Sequence, residues 1–421
     1  MAMKRDGLER RQQTTVSPGT GTPYPAPGAT SPTADTLPKA WVDKYNQVKA
    51  AGLIPNIPVA TPNAAGLVDY PAGTPRGQTG TCEWGTEKCL NNDIAAAPDG
   101  MVALGVDDGP TPNGTIPYLQ ILNDEKISVT HFLIGSAIYW NMDVMKQLVN
   151  SQQKQHLGVH TWSHTLQATK TDMEVLGDLG WTMQIIYDVS GYIPMYLRPP
   201  EGVIDNRVRA IARNVFGLQN VMWDRDADDW CLRQDTGTAN VSGCPQSAPN
   251  LDFVRNAEVG WATKTSNNSG WVSLNHETTN QGAQAFQAMV QAIKKNGWNF
   301  VGYVSALQGL PAYNNAYNLT DSPTKQDNIL PTHTFINVTD PTAAPGSANA
   351  PKLGDWSKTA SKSGASVGAQ TTGSNASGSS SSTSSGSSSS GSNSSDAMAV
   401  VASTGLAALC ATIAGLAFFA A

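Results

Sequence analysis

Two adjacent carboxylates, Asp107 and Asp108, follow an apolar run that begins at Met101, and the run breaks at Gly109-Pro110. Neighbouring side chains of a strand point to opposite faces, so at a strand end one carboxylate can hold a metal while the other faces a substrate. Asp, Gly and Pro are also favoured turn residues for backbone reasons alone. The pair by itself is weak evidence of a site, and its meaning depends on what the chain places nearby.

Two of the six histidines, His160 and His164, stand four residues apart directly after another predicted strand. Such a pair alone is more often surface or core packing than a set of ligands. Together with Asp108 it offers two imidazoles and one carboxylate, the three-ligand set that leaves a metal one open position for water. Zinc is the metal that this set favours, and cobalt or another divalent ion is compatible with it. Three other histidines have no candidate metal ligand at such a spacing and are interpreted as structural: His131, His156 and His333.

An attacking water needs a base, and Asp107 stands beside Asp108 without competing for the same role. Arg198 opens a polar run, Arg198 to Gly202, after the fourth predicted strand, and it can pair with Asp107 to hold it ionised and oriented. Arg-Pro-Pro is also simply a rigid way to leave a strand. Asp107 is therefore the candidate base and Arg198 the candidate residue that orients it.

A leaving amine needs a proton, and His276 at the end of the sixth predicted strand can supply it. Asp229, in the acidic run after the fifth strand, is the carboxylate that would orient His276 and raise its pKa, which suits acid catalysis near neutral pH. Trp230 and Leu274 would wall a small apolar pocket, although either residue fits a core equally well.

The elements that must position these residues follow a repeating order from Met101 onward, in which β-branched runs alternate with amphipathic segments. The predicted strands are 101–107, 128–134, 156–160, 195–198, 219–223, 271–275 and 299–304. The predicted helices are 115–125, 138–152, 172–190, 205–216, 251–263 and 281–296. Such βα units imply a parallel sheet and, at this length, a closed or nearly closed barrel. The polar clusters all follow strands, on the face where barrel active sites are built.

The composition of the 421-residue chain is uneven, with a hydrophobic content of 40% and a net charge of −6. The negative charge argues against a nucleic-acid partner and is compatible with a neutral or cationic substrate. The N-terminal residues 1–40 and the Ser/Gly-rich residues 361–396 have too few large apolar residues to fold. We expect residues 1–40 to be disordered and residues 361–396 to form a flexible stalk. Between them we expect an N-terminal extension that packs on the barrel (41–97), the barrel domain (98–310) and a C-terminal extension (311–360).

The two ends of the chain carry contrasting signals for the secretory pathway. Met1 to Arg11 has the charge of a signal-peptide start but no apolar stretch after it, so we expect an altered start or a replaced leader. Residues 397–421 are small and apolar, without a charged residue. A transmembrane helix is one interpretation of this tail, but the small residues before it, with Asn393 and Ser395 as candidate attachment sites, favour a glycosylphosphatidylinositol (GPI) attachment signal. We therefore expect a cell-surface protein held at the plasma membrane and in the cell wall.

The cysteines and the Asn-x-Ser/Thr sequons are also typical of a protein that enters the secretory pathway. With Cys410 in the apolar tail, four cysteines remain for two disulfides in any of three pairings: Cys82, Cys89, Cys231 and Cys244. Candidate N-glycosylation sites are Asn113, Asn240, Asn267, Asn318 and Asn337.

In this order the motifs resemble the polysaccharide deacetylases of carbohydrate esterase family 4, the NodB homology domain, and most closely the fungal chitin deacetylases. The family's motifs look like T-F-D-D-G-P, H-[ST]-x-x-H, R-P-P-[YF]-G, D-x-x-D-W and L-x-H. Here they stand at 107–110, 160–164, 198–202, 226–230 and 274–276, within a resemblance that covers residues 98–310.

The resemblance implies a distorted (β/α)7 or (β/α)8 barrel and a divalent metal. It implies Asp107 as base and His276, supported by Asp229, as acid. The implied metal ligands are Asp108, His160 and His164.

Two positions depart from the family pattern. Gly105 and Val106 replace the usual Thr and Phe, which changes strand packing and leaves the chemistry intact. Glu201 replaces an aromatic residue; its backbone N–H is expected to stabilise an oxyanion whatever the side chain, while the carboxylate adds negative charge beside the cleft. Our hypothesis is that Glu201 recognises a glucosamine ammonium, although a side chain that points to solvent is the simpler interpretation.

The resemblance implies hydrolysis of N-acetyl groups in chitin or chitosan by an enzyme that contributes to cell-wall chitosan. We expect this enzyme to be a monomer. One alternative is an esterase of the same family that acts on O-acetylated glycans. Another is a wall protein that binds chitin without catalysis.

Overall fold

The structure, a computed structural model, describes residues 23–64, 66–232, 244, 250–263, 269–298, 300–308 and 310–332. These residues lie in one compact unit, residues 1–360, while a second unit, residues 361–421, lies outside the described ranges. The predicted stalk, the apolar tail and the candidate attachment sites therefore lie outside the described residues. No helix within the described ranges is long and apolar enough to span a bilayer.

The strands alternate with helices from Met101 onward. The strands are β1 Thr61–Pro62, β2 Val68–Asp69, β3 Met101–Ala103, β4 Gly105–Gly109, β5 Thr130–Leu133, β6 His156–Val159, β7 Tyr196–Leu197, β8 Gln219–Asn220, β9 Arg225–Asp226, β10 Trp271–His276 and β11 Phe300–Gly302. The helices are α1 Lys39–Ala50, α2 Trp84–Glu87, α3 Thr115–Glu125, α4 Gly135–Trp140, α5 Met142–Val149, α6 Asp172–Ser190, α7 Asn206–Phe216, α8 Leu251–Trp261 and α9 Asn280–Lys295.

The main sheet is parallel throughout, in the order β11-β3-β10-β4-β5-β6-β7-β8, with β9 added beside β10. Strand β10 lies along both β3 and β4, pairing Trp271 with Val102 and His276 with Asp107. Within the described ranges β8 and β11 do not pair, so the barrel is open between them. The predicted α/β fold of parallel strands, arranged as a distorted barrel, is confirmed.

The central strands are nearly continuous apolar runs because both faces of the sheet are buried there. Every residue of β5 and β6 is buried, as expected for strands covered on both faces. Helix α6 begins with a capping box in which Thr171 and Glu174 satisfy each other's backbone N–H groups. The α6 residue Trp181 packs edge-on against Trp41 of α1, and Trp41 also contacts Phe216 of α7.

Two predicted elements are divided in the structure. The predicted strand 101–107 is two strands around Leu104, and the predicted helix 138–152 is α4 and α5 around Asn141. Asn141 leaves the helical conformation, with φ −120° and ψ 44°, and its side-chain amide donates to the Pro110 carbonyl at 3.0 Å. The break therefore ties α4 to the loop that follows Asp108.

Residues 23–38, expected to belong to a disordered segment, lie against the barrel in the structure. Tyr24 stacks on Trp162 with ring centroids 6.0 Å apart, and the hydroxyl of buried Ser31 donates to Asp178 Oδ2 at 2.6 Å. A few specific contacts thus order a stretch whose average composition is poor in large apolar residues.

The described part of the C-terminal extension also packs on the barrel. The Ala312 carbonyl lies 2.8 Å from His156 Nε2, and the buried Tyr313 ring packs against the same imidazole. His156 therefore holds the extension in place, which agrees with its interpretation as structural. His333 lies outside the described residues.

The two disulfides are Cys82–Cys89 and Cys231–Cys244, which selects one of the three possible pairings.

Candidate active site

Asp108, His160 and His164 come together at the C-terminal ends of β4 and β6. Asp108 Oδ1 lies 3.3 Å from His160 Nε2 and 3.2 Å from His164 Nε2. Their ligand atoms lie within 4.8 Å of one another, and no other group of three or more such side chains is spaced for a metal in the described part of the chain. Asp108 Oδ1 is buried and has no hydrogen-bond donor among the described residues. An acceptor oxygen and two imidazole nitrogens arranged in this way fit a divalent cation.

A neighbouring carbonyl sets the tautomer of His160. His160 Nδ1 donates to the Arg198 carbonyl oxygen at 2.7 Å, which leaves the lone pair on Nε2, the nitrogen that faces Asp108. Metal-binding histidines typically donate their second ring nitrogen in this manner. The strand exit at Arg198 therefore orients one candidate ligand.

The loops that carry these residues adopt strained backbone conformations. Asp108, Thr161 and His164 have φ values of 72°, 67° and 51°, in the left-handed region that non-glycine residues rarely occupy. The His164 N–H donates to Thr161 Oγ1 at 3.1 Å, and the Ser163 N–H donates to Asp178 Oδ1 at 3.0 Å. These side-chain acceptors hold the strained loop in one geometry.

The electrostatics of the triad favour an ionised carboxylate. Burial alone would raise the pKa of Asp108, but opposing effects, of which the charge of the His164 imidazole is the largest, hold that pKa well below its usual range. Burial lowers the pKa of His164, and the Asp108 carboxylate outweighs this effect, so the pKa of His164 is raised.

Asp107, the candidate base, is buried and paired with buried Arg198. Arg198 Nη1 donates to Asp107 Oδ1 at 2.8 Å, and Nη2 donates to the Ser273 carbonyl at 3.1 Å. The guanidinium also lies over the Phe132 ring, 4.4 Å from its centroid. A Cβ added at Gly105 would lie 2.7 Å from Arg198 Nη2, so the glycine that departs from the family pattern provides the space for the guanidinium.

His276, the candidate acid, stands beside Asp107 because β10 pairs with β4 at these two residues. Its Nδ1 lies 2.7 Å from Asp229 Oδ1, and its backbone N–H donates to Asp229 Oδ2 at 2.7 Å. Burial lowers the pKa of His276, but Asp229, Asp108 and Asp107 together raise it to about 10. The imidazole is therefore held protonated, as an acid requires.

The three candidate substrate-binding residues differ in how deeply they are buried. Glu201 is exposed on a short turn, Pro200–Gly202, and its charge acts on His164. Trp230 is half-buried and Leu274 is buried. No described contact assigns a substrate to any of the three, so their binding role remains a prediction.

His131, which the sequence analysis interprets as structural, pairs with Glu277, whose role sequence reasoning missed. Glu277 is fully buried, with both carboxylate oxygens 3.0 Å from His131 Nδ1. Its backbone N–H donates to the Asp107 carbonyl at 2.9 Å, and its carbonyl accepts the Thr111 hydroxyl at 2.6 Å. The pair thus fastens the loop around Gly109-Pro110. The position of Glu277 in the sequence could have indicated this role, because Glu277 directly follows His276 at the end of the same strand.

Two of the candidate glycosylation sites, Asn113 and Asn318, are exposed in the structure. The other three, Asn240, Asn267 and Asn337, lie outside the described residues.

Known proteins are similar to the part of the chain that carries the candidate active site. Residues 95–221 match the family model described as polysaccharide deacetylase. Chitin deacetylase 3 of Cryptococcus neoformans var. neoformans serotype D is 37% identical over 282 residues, covering 66% of this chain and 63% of that relative. The chitin deacetylase of Amylomyces rouxii is 35% identical over 234 residues, covering 53% of this chain and 52% of that relative. The chain thus spans less than two thirds of the length of these relatives.

Among solved structures, the chitin deacetylase of Colletotrichum lindemuthianum is 18% identical, with a TM-score of 0.45 over 55% of this chain and 98% of that one. By its sequence, the chain is similar to the polysaccharide deacetylases over residues 95–221 and to the fungal chitin deacetylases over a longer range.

Proposed function

We propose that this chain is a metal-dependent deacetylase that hydrolyses the N-acetyl group of N-acetylglucosamine residues in chitin or chitosan, giving glucosamine units and acetate. The observation that carries the proposal is the placement of an Asp107–Arg198 pair and an Asp229–His276 pair beside the Asp108–His160–His164 triad. The similarity to fungal chitin deacetylases supports the choice of substrate.

Asp108, His160 and His164 would hold the metal, which we propose to be zinc, with cobalt or another divalent ion as an alternative. When bound, such an ion supplies Lewis-acid activation of the amide carbonyl and of the attacking water. Asp107 accepts the proton of that water. Because Oδ1 is occupied by Arg198, the remaining oxygen Oδ2 is the one available to receive it.

The leaving nitrogen needs the proton that His276 carries. Asp229 occupies Nδ1, so His276 donates from Nε2 to the departing amine as the carbon–nitrogen bond breaks. The backbone N–H of Glu201 donates to the oxyanion that develops on the acetyl group. The water oxygen and one of its protons thus leave with the acetyl group as acetic acid, which ionises to acetate, and the amine carries the proton from His276. Asp107 then releases the other water proton and His276 takes one up, so that both groups return to their starting states.

The Glu201 side chain would favour partly deacetylated chitosan over fully acetylated chitin. It is exposed, and its charge reaches His164, so it lies at the rim of the site. A carboxylate there can accept hydrogen bonds from a glucosamine ammonium, a charge-assisted contact worth about 1.5–3 kcal/mol. Glu201→Gln keeps the size of the side chain and removes its charge. It should reduce the preference about tenfold or more, and an unchanged ratio would contradict this role.

We further propose that the protein acts as a monomer at the cell surface and contributes to chitosan in the fungal wall. Residues 397–421 support a GPI attachment signal because they are small, apolar and uncharged, and follow a Ser/Gly-rich stalk. Release of the native protein from membranes by a phosphatidylinositol-specific phospholipase is the expected result. Retention after that treatment would contradict the anchor.

The experiment that tests the activity is acetate release from fully acetylated and half-acetylated chitooligomers, with zinc, with a chelator and with Asp107→Asn. We expect release that depends on the metal and is lost in Asp107→Asn. Acetylated xylan serves as the comparison substrate. Faster release from xylan than from the oligomers would indicate an O-acetyl esterase, and no release from any substrate by folded, metal-loaded protein would indicate a binding protein.

A further inference from the structure

We propose that Trp84, on the disulfide-closed helix α2, is a positioning residue that holds the turn Pro200–Gly202 in its catalytic conformation. The inference rests on the proposed function, in which this turn supplies the Glu201 N–H to the developing oxyanion. Helix α2 lies in the N-terminal extension, before the residues 95–221 that match the polysaccharide deacetylase family. A segment outside the matched domain would thus complete the active site.

Two hydrogen bonds close the turn, from the Gly202 N–H to the Pro199 carbonyl at 3.1 Å and from the Val203 N–H to the Pro200 carbonyl at 3.0 Å, but its backbone is strained. Glu201 and Gly202 both have left-handed conformations, with φ values of 54° and 71°. A left-handed conformation is unfavourable for a non-glycine residue such as Glu201 and persists only where its surroundings determine the conformation. The geometry of the Glu201 N–H therefore depends on what packs against the turn.

Trp84 is the side chain that packs there. A Cβ added at Gly202 would overlap ring atoms of Trp84 and would lie 3.1 Å from the Trp223 ring, so the turn rests directly on the two indoles. Trp84 is only 7% exposed, and its ring centroid lies 4.5 Å from that of Trp223. Only glycine can approach the rings so closely, which explains why position 202 is glycine.

Hydrogen bonds fix α2 and the residues on either side of it against the chain that follows the turn. The Trp84 N–H donates to the Ile204 carbonyl at 3.2 Å, and the Asn206 N–H donates to the Thr81 carbonyl at 2.9 Å. Arg209 Nη1 donates to the Cys82 carbonyl at 2.6 Å, and Nη2 donates to the Cys89 carbonyl at 3.1 Å.

The Cys82–Cys89 disulfide closes the loop that contains Trp84. Arg209 therefore binds the carbonyls of both residues that the disulfide joins. The loop that carries Trp84 is thus fixed at both ends, so Trp84 can define the position of the turn.

This arrangement predicts a specific kinetic effect. The candidate metal ligands lie at the ends of β4 and β6, whereas residues 81–89, which include α2, contact the chain between Gly202 and Arg209. Loss of Trp84 should misplace an oxyanion donor, which acts only in the transition state, so kcat should fall while KM and zinc affinity change little.

The test compares Trp84→Leu with Trp41→Leu, since Trp41 is another buried tryptophan of the N-terminal extension, which packs on α6 and α7. The measurements are kcat and KM for acetate release, the zinc dissociation constant, Tm, and hydrogen exchange of the Gly202 and Val203 amides. We expect Trp84→Leu to lower kcat about 100-fold and to speed exchange at the turn. Trp41→Leu should lower Tm without either effect.

Trp84→Phe, which keeps an aromatic surface under Gly202, should restore most of kcat and provides a variant that folds if Trp84→Leu does not. Equal kcat losses in the Trp84 and Trp41 variants, or turn exchange that is unchanged in Trp84→Leu, would overturn the inference. Absence of acetate release by the wild type would instead reject the proposed function, while the exchange experiment would still decide whether Trp84 holds the turn.

Discussion

Asp229 contacts His276 through both of its carboxylate oxygens: Oδ1 lies 2.7 Å from the ring Nδ1, and Oδ2 accepts the backbone N–H at 2.7 Å. One carboxylate therefore fixes both the orientation of the ring and the end of β10. The pKa of His276 is raised to about 10 because the carboxylates around it outweigh the effect of burial.

Asp229→Asn should test this electrostatic role. The amide keeps the size of the side chain but removes its charge, so the pKa of His276 should fall and the acid should lose its proton at lower pH. We expect kcat to decrease about 100-fold near neutral pH, within the range that general acid catalysis contributes, and the alkaline limb of the pH profile to move to lower pH.

The matched control is Asp252→Asn, at an exposed carboxylate of α8 that pairs with Arg255. It should leave both kcat and the profile unchanged. A profile of Asp229→Asn that superimposes on that of the wild type would show that Asp229 does not set the pKa of the acid.

Stability of the metal-free protein should depend on pH through the same pair. His276 has a folded-state pKa of about 10, and an unfolded histidine titrates near 6.5. A raised histidine pKa contributes stability that is complete below about 6.5 and is lost as the pH rises towards 10. We expect Tm, measured in the presence of a chelator, to fall over this window. His276→Gln should flatten the fall, and equal slopes in the two proteins would contradict the assignment.

Metal affinity should depend on Asp108 more than on any surface carboxylate. Asp108→Asn replaces a charged ligand by a neutral amide in a site whose oxygen faces two imidazoles. We expect zinc affinity to fall by more than about 100-fold, the upper end of the effect of losing an outer-shell partner, with loss of activity. Isothermal titration with zinc measures the change. Asp143→Asn, on the exposed face of α5, is the control, and similar affinities in the two variants would exclude Asp108 as a ligand.

The sequence predicted the order of strands and helices well because the apolar periodicity of each element reflects the face that it buries. The polar residues at strand ends could be grouped for the same reason, since parallel strands bring their carboxyl ends to one edge. The break at Asn141 was missed because it depends on a side-chain hydrogen bond to Pro110, 31 residues away. The packing of Trp84 under Gly202 has no periodic signal either, since it joins the short helix α2 to a turn that lies 118 residues further along the chain.

Gly105→Ala should disturb catalysis without touching a reacting group. The added methyl would lie 2.7 Å from Arg198 Nη2 and 2.8 Å from Nη1, closer than carbon and nitrogen pack, so the guanidinium has to move. Arg198 is fully buried and bonded to Asp107 and to the Ser273 carbonyl, so it cannot move without weakening one of these bonds. Overpacking of this kind costs about 1–3 kcal/mol of stability. A shift of about 1 Å in the base can lower kcat about 100-fold.

Gly260→Ala provides the matched control for this variant. A Cβ at Gly260, in α8, meets no atom within 4 Å, and alanine favours a helix over glycine by about 0.5–1 kcal/mol. We therefore expect Gly260→Ala to keep kcat and to raise Tm slightly, while Gly105→Ala lowers both. Wild-type kcat in a destabilised Gly105→Ala protein would mean that Asp107 keeps its position without the Arg198 contact. That result would remove Arg198 from the catalytic arrangement and leave it as a support for the barrel.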